Sequence, residues 1–187
     1  MGITKFKKDF IYHSTFGHKI KSTDPKTFSN LLGFRKGASI VNIEKSKEAV
    51  SIMNRFVGVL FDKKKSQLLF VNFDEESNKL TSLCALRAIQ PVLIDGWTSG
   101  IFTNVVSKNR ITTVFLLSSK KAYFVIEEAT KLNIPVISLV DTDATLNNVS
   151  FPLWMNDNSA QLGHVLTSVL SDIIIKTALN KHALSYL

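Results

Sequence analysis

The chain is poor in the features that usually announce a mechanism. It holds one cysteine, Cys84, in 187 residues. That excludes a disulfide framework and a cysteine-built metal site, and it fits a reducing compartment. No apolar run reaches the ~18 residues that span a bilayer: the longest late stretch, residues 165–179, is interrupted by Thr167, Ser168, Ser171, Asp172 and Lys176. Lys5, Lys7, Lys8 and Asp9 break any secretory core, and Phe6 stands where a myristoylation motif needs a hydroxyl. Glycine is scarce, and none follows the first two strand-like segments at Asn42-Ile43-Glu44 or Asn72-Phe73-Asp74, so no phosphate-cradling loop is present. His13, His18, His164 and His182 lack metal-site spacing, and Ser99 does not sit in a nucleophile elbow. No cofactor and no metal are expected.

What the chain does have is positive charge. Twenty-three Lys and Arg against 15 Asp and Glu give +8 and a pI of about 9.6, which favours an anionic partner. The excess is concentrated at the start. Residues 1–36 carry Lys5, Lys7, Lys8, Lys19, Lys21, Lys26, Arg35 and Lys36 against only Asp9 and Asp24. A basic arm on a near-neutral domain is a nucleic-acid footprint. With 45% hydrophobic residues the chain has enough to bury one core.

Periodicity then gives the elements. Residues 3–14 read as a short amphipathic helix with a lysine face, and 20–37 as an irregular arm punctuated by Pro25, Gly33 and Gly37. Residues 38–43 read as the first core strand. Further strands follow at 67–72, 92–94, 112–117, 134–140 and 149–153. Helices are expected at 44–60, closed by Lys63-Lys64-Lys65, at 74–88, from Ser118 or Ser119 to 132, and from the Asn156-Asp157-Asn158-Ser159 cluster to about 180. Alternating strands and helices predict a mainly parallel sheet in a three-layer α/β/α domain over 38–180, preceded by a helix and basic arm over 1–37 and followed by a tail at 181–187.

Two stretches invite chemistry. In residues 91–104 an apolar run breaks into Gly96-Trp97-Thr98-Ser99-Gly100, with Thr103 and Asn104 beyond; open α/β sheets place function at such strand ends. Asp141-Thr142-Asp143-Ala144-Thr145 follows an apolar strand and resembles the first motif of haloacid-dehalogenase-type phosphatases. There one carboxylate attacks phosphorus and the other handles the proton beside magnesium. Only 42 residues remain after Thr145, too few for a cap, a phosphate-holding lysine and a second acidic pair.

Several segments together resemble the ribosomal protein S2 family of the small subunit. They are Phe16-Gly17-His18-Lys19, Asp24-Pro25-Lys26, Ser39-Ile40-Val41-Asn42-Ile43-Glu44-Lys45-Ser46, the segment 96–104, Glu127 to Asp143 and Asn156-Asp157-Asn158-Ser159, in the family's order across residues 16–176. The resemblance implies a flavodoxin-like domain with a helical, basic N-terminal appendage. It implies a non-enzymatic role: binding small-subunit rRNA and neighbouring ribosomal proteins where head meets body, with no membrane and no self-association. On this reading the rRNA-binding candidates are Lys5, Lys7, Lys8, His18, Lys19, Lys21, Lys26, Arg35, Lys36, Trp97, Thr103 and Asn104. The alternatives from the residues alone are a magnesium-dependent phosphatase using Asp141 and Asp143 and a basic protein-interaction module without RNA.

The chain also departs from the family. Its long two-helix hairpin after the T-N pair is reduced to residues 105–110. Gly96 and Ser99 stand where the family has arginine and glycine, so no phosphate contact passes from that arginine. Asp143 replaces an asparagine, and Leu146 a proline. Such trimming resembles an organellar member, and the expectation is a mitochondrial ribosome in the matrix, with plastid or bacterial cytoplasm as the other settings.

Overall fold

Apolar runs that are buried on both sides make the centre of the molecule. The computed structural model describes residues 14–62, 66–94, 96–98, 100, 102, 111–144 and 148–184, the last four by backbone alone. Five strands pair in parallel: β4 (Gln67–Val71), β5 (Val92–Leu93), β6 (Ile111–Leu116), β7 (Val136–Val140) and β8 (Phe151–Trp154), in the spatial order β5-β4-β6-β7-β8. Counted within the sheet this is the 2-1-3-4-5 order of flavodoxin-type domains. Successive residues alternate between faces. Leu68, Phe70, Phe115, Ile137 and Leu139 enter one core; Leu69, Val71, Val114, Leu116 and Val136 enter the other.

Helices cover both faces. The first core is closed by α1 (Ile43–Asp62), α2 (Glu75–Arg87) and α4 (Ala160–Leu184) through Met53, Val57, Ala85, Leu162, Leu166, Leu170 and Ile174. The second is closed by α3 (Tyr123–Lys131) through Val125, Ile126 and Ala129, together with Phe102. Fully burying a side chain such as Phe70, Phe115 or Met53 contributes about 1.5–3 kcal/mol each. The three-layer α/β/α architecture expected from the sequence is the one found.

The N-terminal part differs from expectation. Residues 20–37 are not an irregular arm, and residues 38–43 do not enter the parallel sheet. Phe16–Lys19 (β1), Leu31–Arg35 (β2) and Ala38–Val41 (β3) form a separate antiparallel sheet in the order β1-β3-β2, with short 3-10 turns at Ile20–Ser22 and Pro25–Asn30. Lys36 (φ 50°) and Gly37 (φ 80°) make the two-residue turn between β2 and β3. Both central residues have positive φ, the backbone that matches the twist of a hairpin.

Two helices also start or continue otherwise than expected. Neither Ser118 nor Ser119 caps α3, which begins at Tyr123 after Ala122 with no side-chain cap. The Ser118 hydroxyl is committed elsewhere, to Asp157 Oδ2 at 2.5 Å. The hydroxyls in α4 do not interrupt its apolar character: the Thr167 hydroxyl donates to the Gly163 carbonyl at 3.0 Å and the Ser171 hydroxyl to that of Cys84 at 2.6 Å. By length and composition residues 160–180 of this helix would span a bilayer, at mean hydropathy 1.4. Here Leu162, Leu166, Leu170 and Ile174 face the core. Apart from the helical Ser14, the expected helix over 3–14 lies outside the described residues, as do the lysines at 63–65 and residues 185–187 of the expected tail; the backbone of 181–184 continues α4 instead of starting a tail.

Candidate nucleic-acid interface

The small sheet has an inner and an outer face, and register decides which side chain goes where. Ser39 and Val41 are buried against the body, so Ala38 and Ile40 of the same strand point outward. Lys19 and Arg35 both pair with Ala38, one from each side, and Phe16 pairs with Ile40. Cross-strand partners share a face. The outer face therefore carries Lys19 and Arg35 flanking a small alanine, with Lys36 in the turn beside them. Lys21 and Lys26 are exposed on the adjoining turns. Among described residues none of these five cations has an acidic partner within 4.0 Å. The one acid in residues 14–43 is Asp24, and its carboxylate accepts the Lys26 amide at 2.9 Å, capping the 3-10 turn behind Pro25.

The inner face is a seam built on Thr142, at the carboxyl end of β7. The His18 amide donates to Thr142 Oγ1 at 2.9 Å, and the Ser39 hydroxyl donates to the His18 carbonyl at 2.8 Å. The Thr142 carbonyl accepts from the Asp24 amide at 2.8 Å and the Thr27 hydroxyl at 3.2 Å. Gly17 is required by space: a Cβ there would stand 2.6 Å from both Ser39 Oγ and Thr142 Cγ2.

A cluster of acids lies behind the seam. His18 is not turned outward with the lysines. Its Nδ1 lies 3.2 Å from Asp141 Oδ2 and 3.6 Å from Asp143 Oδ1, and its Nε2 lies 3.0 Å from Asn158 Nδ2. Asp141 is fully buried; its oxygens accept the Thr142 amide at 2.5 Å and the Asp157 amide at 3.3 Å. Burial pushes the Asp141 and Asp157 carboxyls above their ordinary range, partly offset by the Thr142 amide and His18 for Asp141 and by the Ser118 hydroxyl for Asp157. Lys120 bonds Asp143 Oδ2 at 2.6 Å, which raises the lysine.

This arrangement leaves no room for the phosphatase chemistry that Asp141 and Asp143 suggest. The would-be nucleophile has both oxygens occupied and no exposed surface. The crevice between the ends of β4 and β6, where such sheets hold ligands, has about 10 Å³ of free space, no more than a single water needs. Lys121 closes it by pairing with Asp74 at 3.3 Å, and Asn72 is satisfied by Ser77 and Thr81. Among the described residues no three His, Cys, Asp or Glu are placed to hold a metal ion.

The remaining candidates are scattered. Trp97 packs edge-on against Phe102, with ring centroids 5.3 Å apart, and lies 5.8 Å from Phe124 on the α3 side. Gly96 (φ 68°) and Gly100 (φ 91°) take the positive φ that two glycines in this loop suggest. Glu128, which the sequence alone marks only as a solvated helix face with Glu127, accepts the amides of Gly100 at 3.2 Å and Phe102 at 3.1 Å and so pins this loop. Lys5, Lys7, Lys8, Thr103 and Asn104 lie outside the described residues. Sequence reasoning missed Ser39, Thr142 and Glu128 as positioning residues. The turn signal Lys36-Gly37 between two β-like runs could have revealed the hairpin.

Comparison with known proteins places these motifs in one family. The family described as Ribosomal protein S2 matches residues 12–113 and 106–177, two segments that overlap at 106–113. The chain is 24% identical over 215 aligned positions to small ribosomal subunit protein uS2 of Bifidobacterium adolescentis, covering 89% of this chain and 79% of that protein. It is 22% identical to uS2 of Renibacterium salmoninarum, over 90% of this chain and 74% of the relative. It is also 22% identical to uS2 of Borreliella burgdorferi, over 87% and 80%.

Proposed function

The chain belongs to the ribosomal protein S2 family, structural proteins of the small ribosomal subunit and not enzymes, and from that premise we propose that it docks on small-subunit rRNA through the outer face of its β1-β3-β2 sheet. The observation that carries this reading is the register that sets Lys19 and Arg35 on either side of Ala38, with Lys36 at the turn. Three cations converge with no carboxylate among them. Side chains of this kind neutralise phosphates and release counterions, and folded RNA is read largely by its shape, phosphates and 2′-hydroxyls. Lys21 and Lys26 extend the surface. The head–body junction is the place the family resemblance suggests, with neighbouring ribosomal proteins on the remaining surface. The missing hairpin and the low identity to bacterial relatives support a mitochondrial ribosome as its setting.

The test replaces Lys19, Arg35 and Lys36 together by glutamine and measures rRNA binding across a salt series. Each phosphate left without its cation lowers the slope of log affinity against log salt by roughly 0.7–0.9. The expected change for the triple variant is roughly 2–3. An unchanged slope, or salt-insensitive binding to a protein with no rRNA crosslink from residues 18–36, would overturn the proposal and favour a protein-interaction module. Co-sedimentation with mitochondrial rather than other small subunits tests the compartment.

A further inference from the structure

Helix α2 is built the wrong way round for a helix that faces water. Its buried positions are small or polar: Ser77, Thr81, Cys84 and Ala85. Its large apolar residues are outside. Leu80, Leu83 and Leu86, continued by Ile89, recur every three residues and are 37%, 61%, 74% and 87% exposed. Residues three apart on a helix are neighbours, so the three leucines make one ridge that runs on into Ile89. Val92 of the edge strand β5 is exposed beside it.

Ile89 supplies an independent observation. It closes α2 in a Schellman arrangement: its amide bonds the Leu86 carbonyl at 3.0 Å, and the Gln90 amide bonds that of Ala85 at 2.9 Å. Its φ is +55°. A β-branched residue at positive φ is a genuine outlier. Helix α3 ends in the same arrangement with Asn133 (φ 56°), a residue that tolerates this backbone. Ile89 neither suits its backbone nor is buried by any of the described residues.

We infer that the ridge Leu80-Leu83-Leu86-Ile89 is the docking surface for a short amphipathic helix of a neighbouring small-subunit protein. The shape favours a helix: an i±3 ridge seats between the i±4 rows of a second helix, whereas β5, two residues long, is too short an edge for an added strand. Size and charge disfavour a second copy. The ridge exposes roughly 500 Å², the scale of a functional patch on a monomer. A standard interface needs about 800 Å² per partner, and a second copy would bring the same +8. Nucleic acid is disfavoured because the first turn of α2 carries Glu75 and Glu76 against Lys79 alone, while Arg87 is held by Asp172 at 2.5 Å. The partner helix therefore presents a leucine-like stripe with a cation facing Glu75 and Glu76. This inference stands on family membership and not on rRNA contact at the hairpin.

Hydroxyl-radical footprinting of the purified chain and of the chain within small ribosomal subunits tests it, joined to carboxyl-to-lysine crosslinking. Oxidation of Leu83, Leu86 and Ile89 should fall at least five-fold on assembly, with Glu75 or Glu76 crosslinked to a lysine of another protein. Oxidation at the free rate, protection without a protein crosslink, or a crosslink to a second copy would each overturn it. An Ile89→Gly variant should melt a few degrees higher alone yet lose at least ten-fold against the native chain in competitive incorporation into subunits. Higher melting with undiminished incorporation would also overturn it.

Discussion

Replacing Gly17 by alanine puts a methyl group where the seam has none to spare. The new Cβ would meet Ser39 Oγ and Thr142 Cγ2 at 2.6 Å and Thr142 Oγ1 at 2.8 Å. Neither neighbour is the free end of a flexible chain. Ser39 is fully buried and holds the His18 carbonyl. Thr142 is fixed by five hydrogen bonds: from the His18 amide and, at 3.2 Å, the Ser39 hydroxyl to its own hydroxyl, from the Asp24 amide and Thr27 hydroxyl to its carbonyl, and from its own amide to Asp141. Turning Thr142 away breaks the His18 bond; moving the strand away breaks both.

The cost follows from those two routes. Overpacking a tight site costs about 1–3 kcal/mol, and a broken hydrogen bond about 1 kcal/mol, more if a buried group is orphaned. A total of about 2–4 kcal/mol is expected, and it falls on the docking of residues 16–41 rather than on the parallel sheet. At 1.36 kcal/mol per decade, amide exchange at His18, Asp24 and Thr27 should quicken by roughly 30- to 1,000-fold. Amides of β4, β6 and β7 should keep their protection. Gly58→Ala is the control. It lies inside α1, where an added methyl would have no atom within 4 Å, and it should stabilise the chain by about 0.5–1 kcal/mol. Unchanged exchange at His18 and Asp24 in Gly17→Ala would refute the close-approach reasoning.

Two further outcomes are expected. Glu128→Ala removes the acceptor of the Gly100 and Phe102 amides and should loosen the loop by about 2–3 kcal/mol; in a Trp154→Phe background the Trp97 emission should shift to the red, and an unshifted spectrum would count against the clamp. Asp157, whose carboxyl is raised by burial, penalises the folded state when ionised, so its contribution improves as pH falls through the raised value and levels off below the ordinary 3.8. The stability difference between the native chain and Asp157→Asn, read from urea midpoints at pH 7.5 down to 4, should therefore move in favour of the native carboxyl in acid; a pH-independent difference would contradict the assigned cause.

The parallel sheet is legible because β4, β6 and β7 are dominated by apolar residues, broken only by Gln67, Thr112, Thr113 and Ser138, and α1 carries its stripe at helical spacing. The small sheet is not. Its strands have four or five residues, and its inner face meets the body through Ser39, Gly17 and Thr142 rather than through an apolar stripe, so no alternation marks it. Ser118 looks like a cap because local sequence cannot tell that Asp157, 39 residues later, takes its hydroxyl. The motif residues are visible, but their direction is not. His18 reads as a basic-arm residue among lysines, and only the fold turns its ring toward Asp141 and Asp143.

The seam shows what fills the described carboxyl ends of a sheet that has the strand order of a ligand-binding domain. In such a sheet the carboxyl ends of the strands are kept open and glycine-rich so that backbone can approach a ligand. Here the chain uses those positions on itself. Thr142, past β7, receives the N-terminal sheet; Asp157, past β8, holds Ser118, past β6; and Lys121 reaches Asp74 across the remaining gap. The carboxylates that would perform catalysis face the His18 ring, the Asp157 amide and Lys120 instead. Because β3 is one strand with two faces, the residue that meets the seam, Ser39, is next in sequence to Ala38, whose neighbours Lys19 and Arg35 form the outer basic face. A cation grip placed there is as rigid as the docking behind it, so weakening Thr142 or Gly17 should loosen the hairpin's cations without altering their charge.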